Sequence, residues 1–133
     1  MNDFLAAPLV YDTGALLAAE RNDRRMIFLH NEAMLSTRQI VVPAPVLAQA
    51  WRGGAGRQAN LSVVLKVCEI DETSEQTAKA AGVLLGASST SDAVGAIVVA
   101  TALRLGAHVF TSDPNDLHKL ADSASATLTM IVV

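Results

Sequence analysis

Two apolar runs in this chain end in an aspartate, and a helix-forming segment follows each aspartate at once. The first is Leu9-Val10-Tyr11-Asp12, leading into Thr13-Gly14-Ala15-Leu16-Leu17. The second is Phe110-Thr111-Ser112-Asp113, leading into Pro114-Asn115-Asp116-Leu117. Each reads as a buried strand, a tight turn and a helix whose N-terminus points at the strand's end. In open α/β sheets, ligands bind in the crevice outside the strands' carboxyl ends. Each aspartate also has an ordinary role. Asp113 as N-cap, Pro114 at N1 and Asp116 at N3 make a normal helix start, and the same holds for Asp12.

Their joint occurrence adds something that capping does not explain. If the two strands are neighbours in a parallel sheet, both carboxylates face one crevice. Two like charges ~4 Å apart at an effective dielectric of ~20 repel by about 4 kcal/mol. A cation between them offsets that cost. Hard oxygen donors without His or Cys partners suit Mg²⁺ or Mn²⁺, and Mg²⁺ often takes only one or two carboxylates plus waters. Asp92 is a third candidate, since it opens a long apolar helix and is either its cap or a ligand. Glu20, late in the first helix, reads as a solvated surface acid.

The elements that must position these residues alternate to the end of the chain. Strands are expected near 8–12, 39–42, 68–71, 108–111 and 128–133. Helices are expected at 14–20, from Asn22-Asp23 to about 36, and at 45–52, 58–66, 72–85, 92–105 and 113–121. Pro43 and Pro45 stop the second strand and pre-set the next helix, and Gly106 is the expected C-cap of the long helix. Arg52-Gly53-Gly54-Ala55-Gly56-Arg57 is the flexible joint. Strands separated by helical segments predict a doubly wound, mostly parallel α/β sheet with helices on both faces.

The bulk properties agree with one domain spanning 1–133. Hydrophobic residues make up 51% of the chain and charged residues 17%, which excludes disorder. With 4% aromatic residues, the core must be built from Ala, Val and Leu. The net charge of −3 gives no bulk attraction for nucleic acid, so any such binding needs a local patch. A single cysteine, Cys68, excludes an intrachain disulfide and a multi-cysteine zinc site, and it reads as a core residue. No leader is read at the start, and 93–105 is too short to span a bilayer, so a cytoplasmic protein is expected. His30, His108 and His118 show no ligand spacing. Gly53-Gly54-Ala55-Gly56 lacks the Lys-Ser/Thr of a phosphate loop.

The chain resembles the PIN-domain family, and within it the VapC-type toxins of VapBC toxin–antitoxin pairs. The resemblance is carried by Tyr11-Asp12-Thr13-Gly14-Ala15-Leu16, Val42-Pro43-Ala44-Pro45-Val46-Leu47-Ala48, Ala100-Thr101-Ala102-Leu103-Arg104-Leu105-Gly106-Ala107 and Thr111-Ser112-Asp113-Pro114-Asn115-Asp116-Leu117. It covers nearly the whole chain. It implies a metal-dependent endoribonuclease with Mg²⁺ or Mn²⁺ on a cluster of acids, a VapB-type antitoxin that blocks the site, and a homodimer. By position, Asp12 matches the first acid and Asp113 an acid after the fourth strand. In that reading Asp12, Asp92 and Asp113 are catalytic, with Asp116 joining them as metal ligands. Arg52 and Arg57 hold substrate phosphates, and Trp51 offers a stacking surface. The bland alternatives are solvated loop arginines and a core or interface tryptophan.

Two positions depart from the family. Gln49 stands where an acid is usual, and so does Gly95, with Asp92 one helical turn earlier. Fewer carboxylates imply weaker metal binding and lower activity. The competing expectation is therefore a PIN-fold binding module that keeps antitoxin and dimer surfaces without turnover, in which Gly95→Asp restores activity. A receiver-like domain would need paired acids near the first strand and a Lys after a late strand, and the chain has neither.

Overall fold

The apolar runs do form the strands, in a computed structural model that describes residues 7–54 and 56–133. The residues read as lacking a leader, 1–6, and Ala55 of the joint lie outside them. The strands are β1 (Leu9–Tyr11), β2 (Ile40–Pro43), β3 (Glu69–Asp71), β4 (His108–Thr111) and β5 (Met130–Val132). The helices are α1 (Thr13–Glu20), α2 (Arg24–Leu35), α3 (Ala44–Ala50), α4 (Ala59–Leu65), α5 (Glu75–Ser88), α6 (Ala93–Leu105) and α7 (Pro114–Ser123). All strand pairings are parallel, in the order β3-β2-β1-β4-β5.

That order fixes where a ligand can sit. The chain builds outward from β1 through β2 to β3, then returns to lay β4 on the other side of β1. The switch point therefore falls between β1 and β4, which pair with Tyr11 opposite Phe110. The residues that follow them are Asp12 and Ser112-Asp113. The central strands are continuously buried, as a sheet covered on both faces requires. Helix α6 is the central helix, with Gly95, Ala96, Val98, Val99, Ala100, Thr101 and Ala102 all buried.

Local chemistry sets the helix ends. Asp23 caps α2 through Met26 N–H at 2.9 Å, and Gly106 ends α6 at a φ of 63°, as a left-handed C-cap does. Helix α5 starts later than its apolar pattern implied. Thr73 has a φ of 59° and its N–H donates to Asp71 at 3.3 Å, so the chain turns before Ser74 caps the helix. The helix then runs through Gly86 and stops at Ser89, itself left-handed. Among the described residues no single helix is long and apolar enough to cross a membrane.

Behind the strand ends lies a polar pair inside the core. The Tyr11 ring stacks on Phe110 with centroids 5.0 Å apart, and its hydroxyl is 2.8 Å from His30 Nδ1. Burial pushes the Tyr11 phenol far above its ordinary range, so it donates and the neutral imidazole accepts. Burial also lowers the His30 pKa from 6.5. The unfolded chain therefore binds this proton more readily, and the stability His30 contributes is present above 6.5 and lost as pH falls through its folded pKa. Tyr11→Phe leaves Nδ1 unsatisfied and should cost ~1–3 kcal/mol in denaturant melts at neutral pH.

Candidate functional site

A cleft of about 160 Å³ opens at the switch point, and Asp12, Asp92, Asp113 and Asp116 all line it. Gly14, Gln49, Gly95 and Ser112 complete its walls. Strand β1 delivers Asp12, β4 delivers Asp113, α6 begins at Asp92 and the first turn of α7 carries Asp116. The chain thus brings acids from three separate segments into one cleft. Gly14 is required for the approach of the β4–α7 turn, because a Cβ there would run into the Ser112 hydroxyl.

The four carboxylates are not equivalent. Asp12 caps α1, with Oδ1 accepting from Ala15 N–H at 2.9 Å. Burial raises its pKa above 3.8, and the Asp113 charge adds to the rise. Hydrogen bonds from the Thr111 hydroxyl and from the Ala15 and Gly14 N–H groups pull the other way. Asp113 stands at the N-cap position of α7 but makes no side-chain cap bond, so the capping reading holds for its place and not for its carboxylate. Its N–H donates to Thr111 Oγ1 at 2.9 Å. Asp92 does cap: Oδ1 accepts from Gly95 N–H at 2.9 Å. Its Oδ2 lies where a side chain on residue 95 would begin. A side chain at residue 95 therefore requires the Asp92 carboxylate to shift, and with it the cap bond.

Gln49 faces the same cleft, but its Oε1 accepts from the Thr13 hydroxyl at 2.5 Å. The oxygen by which it would coordinate is already engaged. Among the described residues, no three His, Cys, Asp or Glu side chains stand close enough to form a ready ligand group. The donors are nevertheless oxygen only, with one carboxylate uncapped and one half-used. That set fits a hard cation held by one or two carboxylates and several waters, not a closed protein cage. Asp12 and Asp113 would hold it, with Asp92 Oδ2 and Asp116 in the same cleft.

The two arginines are not in this cleft. Arg52 and Arg57 line a second cavity of about 260 Å³, together with Leu17, Glu20, Ala50 and Gln58, and Gln49 forms a wall of both. Trp51 ends α3 and is 43% exposed, which removes the core reading and leaves a surface one. Glu20 is half-buried and receives the Gln58 Nε2 at 2.6 Å, so it is not the solvated acid that its place late in a helix suggested. Cys68 is half-buried, donates to Val64 O and has its thiol pushed up to about 12 by burial, which leaves it inert.

Thr111 is the residue that sequence reasoning missed. It is fully buried and touches both strand-end acids, donating to Asp12 and accepting from Asp113 N–H. The Thr-x-Asp spacing at a strand end was the available signal. Thr111→Val keeps the shape and removes both bonds. It should weaken metal binding ~10-fold, the usual scale for a partner that orients a ligand, and calorimetric titration would show it.

The fold and the cleft define a class: a PIN-like α/β domain with an acidic crevice at its switch point. A chain in the crystal structure of VapBC2 from Rickettsia felis, bound to a DNA fragment from their promoter, superposes on it with a TM-score of 0.72. The match covers 94% of this chain and 98% of that chain at 15% sequence identity, so what it shows is the fold. No family model and no curated protein matches the sequence.

Proposed function

We propose that this protein is a Mg²⁺-dependent endoribonuclease that acts as the toxin of a toxin–antitoxin pair. The observation that carries the reading is the convergence of Asp12, Asp92, Asp113 and Asp116 on one cleft at the β1–β4 switch point. The structural likeness to a chain of a VapBC2 complex supports a VapB-type antitoxin as partner. An apolar groove lined by Val83, Leu84, Ala100 and Leu103 supports a protein interface, which we assign to a homodimer. In this reading the protein works in the cytoplasm.

Asp12 and Asp113 would hold the ion (Mg²⁺, or Mn²⁺ in its place), and Thr111 positions the Asp12 carboxylate through its hydroxyl. When bound, the ion supplies an activated water and steadies charge on the leaving oxygen. Asp92 keeps Oδ2 free of its cap bond and would offer it there as a hydrogen-bond acceptor. Arg52 and Arg57 neutralise phosphates of the flanking strand, beside the acidic cleft and not at the cut.

Calorimetric titration of Mg²⁺ and Mn²⁺, with single-stranded and structured RNA assayed on the same samples, tests this. Binding and metal-dependent cleavage, both absent in Asp12→Asn, are expected. No binding at millimolar metal and no cleavage would overturn the enzyme. It would leave the second reading, a PIN-fold module that binds its antitoxin without turnover. The engaged Gln49 oxygen and the missing three-ligand group among the described residues favour that alternative.

A further inference from the structure

The cavity beside the acidic cleft is framed by a buried glutamine with all its hydrogen bonds made. Gln58 is 3% exposed. Its Oε1 accepts from Arg52 N–H at 2.9 Å and Gly53 N–H at 3.1 Å. Its Nε2 donates to Ala50 O at 2.8 Å and Glu20 Oε1 at 2.6 Å. One side chain thus fastens the glycine-rich joint to the ends of α1 and α3. The joint read as flexible from its glycines is held at its Arg52-Gly53 end.

What this frame leaves pointing at the cavity is a set of complementary groups. Glu20 has one oxygen on Gln58 and keeps the other as an acceptor. Gln49 spends its oxygen on Thr13 and keeps its amide N–H groups as donors. The Arg52 guanidinium donates from Nη1 to the carbonyls of Trp51 at 2.9 Å and Ala48 at 3.3 Å, which tethers one edge of the plane beside the cavity. Leu17 and Ala50 add apolar surface. At about 260 Å³ the cavity far exceeds an ion site, given that a water occupies ~30 Å³. A bare phosphate would gain from the arginines but lose against the Glu20 carboxylate. A flat ligand with an apolar face and a polar edge uses every group.

We infer that this cavity is a nucleobase subsite, which takes the base of an unpaired nucleotide flanking the cleaved bond and reads an exocyclic amino group through Glu20. The inference rests on the ribonuclease reading for its biological ligand, and it extends that reading from phosphate contacts to base recognition. Stacking on an arginine plane with hydrogen bonds to the base edge is how unpaired RNA bases are recognised. Guanine, adenine and cytosine carry the amino group, and uracil does not.

The test is titration of GMP, AMP, CMP, UMP and ribose 5-phosphate into the whole protein without added metal, read by amide chemical shifts. Saturable shifts at Glu20, Gln49, Gly53 and Gly54 are expected, with amino-bearing nucleotides binding about fivefold or more tightly than UMP and ribose 5-phosphate. Glu20→Gln still accepts from Gln58, so the frame survives while the preference disappears. Ribose 5-phosphate binding as well as the nucleotides, no shifts at these residues with millimolar nucleotide, or a preference unchanged in Glu20→Gln would each overturn the subsite. Because no metal or cleavage is involved, this failure is separable from failure of the nuclease. Nucleotides bound here without RNA cleavage would remove only the enzyme.

Discussion

Asp12→Asn is expected to abolish metal binding and lower RNA cleavage about 100-fold or more while leaving the metal-free protein as stable as the parent, or more stable. Loss of function follows from loss of the strand-end carboxylate, because a ligand matters at least as much as the partners that orient it. The stability half is less ordinary. Asp12 is half-buried, and its pKa stands above 3.8 chiefly through that desolvation, with Asp113 contributing. A raised folded pKa means that the native state binds the proton more readily than the unfolded chain does. Stability is therefore lost as pH rises through the window above 3.8, and at neutral pH the charged form costs stability.

Asparagine removes that charge and keeps the cap. Its side-chain oxygen accepts from Ala15 N–H as the carboxylate does, and Asn and Asp are equivalent N-caps. The sign of this term is opposite to that of His30, whose contribution is lost on acidification. The two are separable by pH, since Asp12→Asn should alter the melts above pH 3.8 and leave in place the His30 loss on acidification below pH 6.5. A destabilised Asp12→Asn at neutral pH would show that Asp12 is a structural cap first, and would weaken the case for a ligand.

The fold was legible because its signals are local. Leu9–Tyr11, Ile40–Pro43 and His108–Thr111 are short strands with apolar centres and turn chemistry behind them, and alternation with helices leaves few topologies. The acids at strand ends were legible for the same reason, because a switch point collects whatever follows its two strands. What stayed hidden depends on groups far apart in the chain. Glu20 reads as a surface acid until Gln58, 38 residues on, reaches its carboxylate. Gln49 reads as an available amide until Thr13, 36 residues away, claims its oxygen. Arg52 and Arg57 read as phosphate-binding groups of the joint, and the structure sets them on the cavity beside the acidic cleft, not in the cleft itself. Spacing along the joint gives their proximity to each other and says nothing of the Gln49 wall that divides the two cavities.

Gly95 shows how a local rule and a spatial fact can point in opposite directions. Counting from Asp92, residue 95 is the N3 position of α6, where aspartate is favoured by the helix dipole and glycine costs up to ~1 kcal/mol of helix propensity. Sequence reasoning therefore makes Gly95→Asp an improvement twice over, in stability and in ligand count. The Cβ it adds would lie on the Asp92 carboxylate, which is already hydrogen-bonded to Gly95 N–H. Either the new side chain or the cap must give way. Losing the cap costs ~1 kcal/mol, and two adjacent carboxylates repel besides. Gly95→Asp alone should lower the melting temperature and leave metal affinity no better than the parent. Asp92→Ser with Gly95→Asp should recover both, because serine caps the helix from a smaller side chain and vacates the space. Calorimetry on the parent, the two single variants and the double variant gives the coupling directly. A stable Gly95→Asp with tighter metal binding, or a double variant no better than the single, would show that the Asp92 carboxylate moves aside freely. The glycine would then be a lost ligand and not the space that admits Asp92.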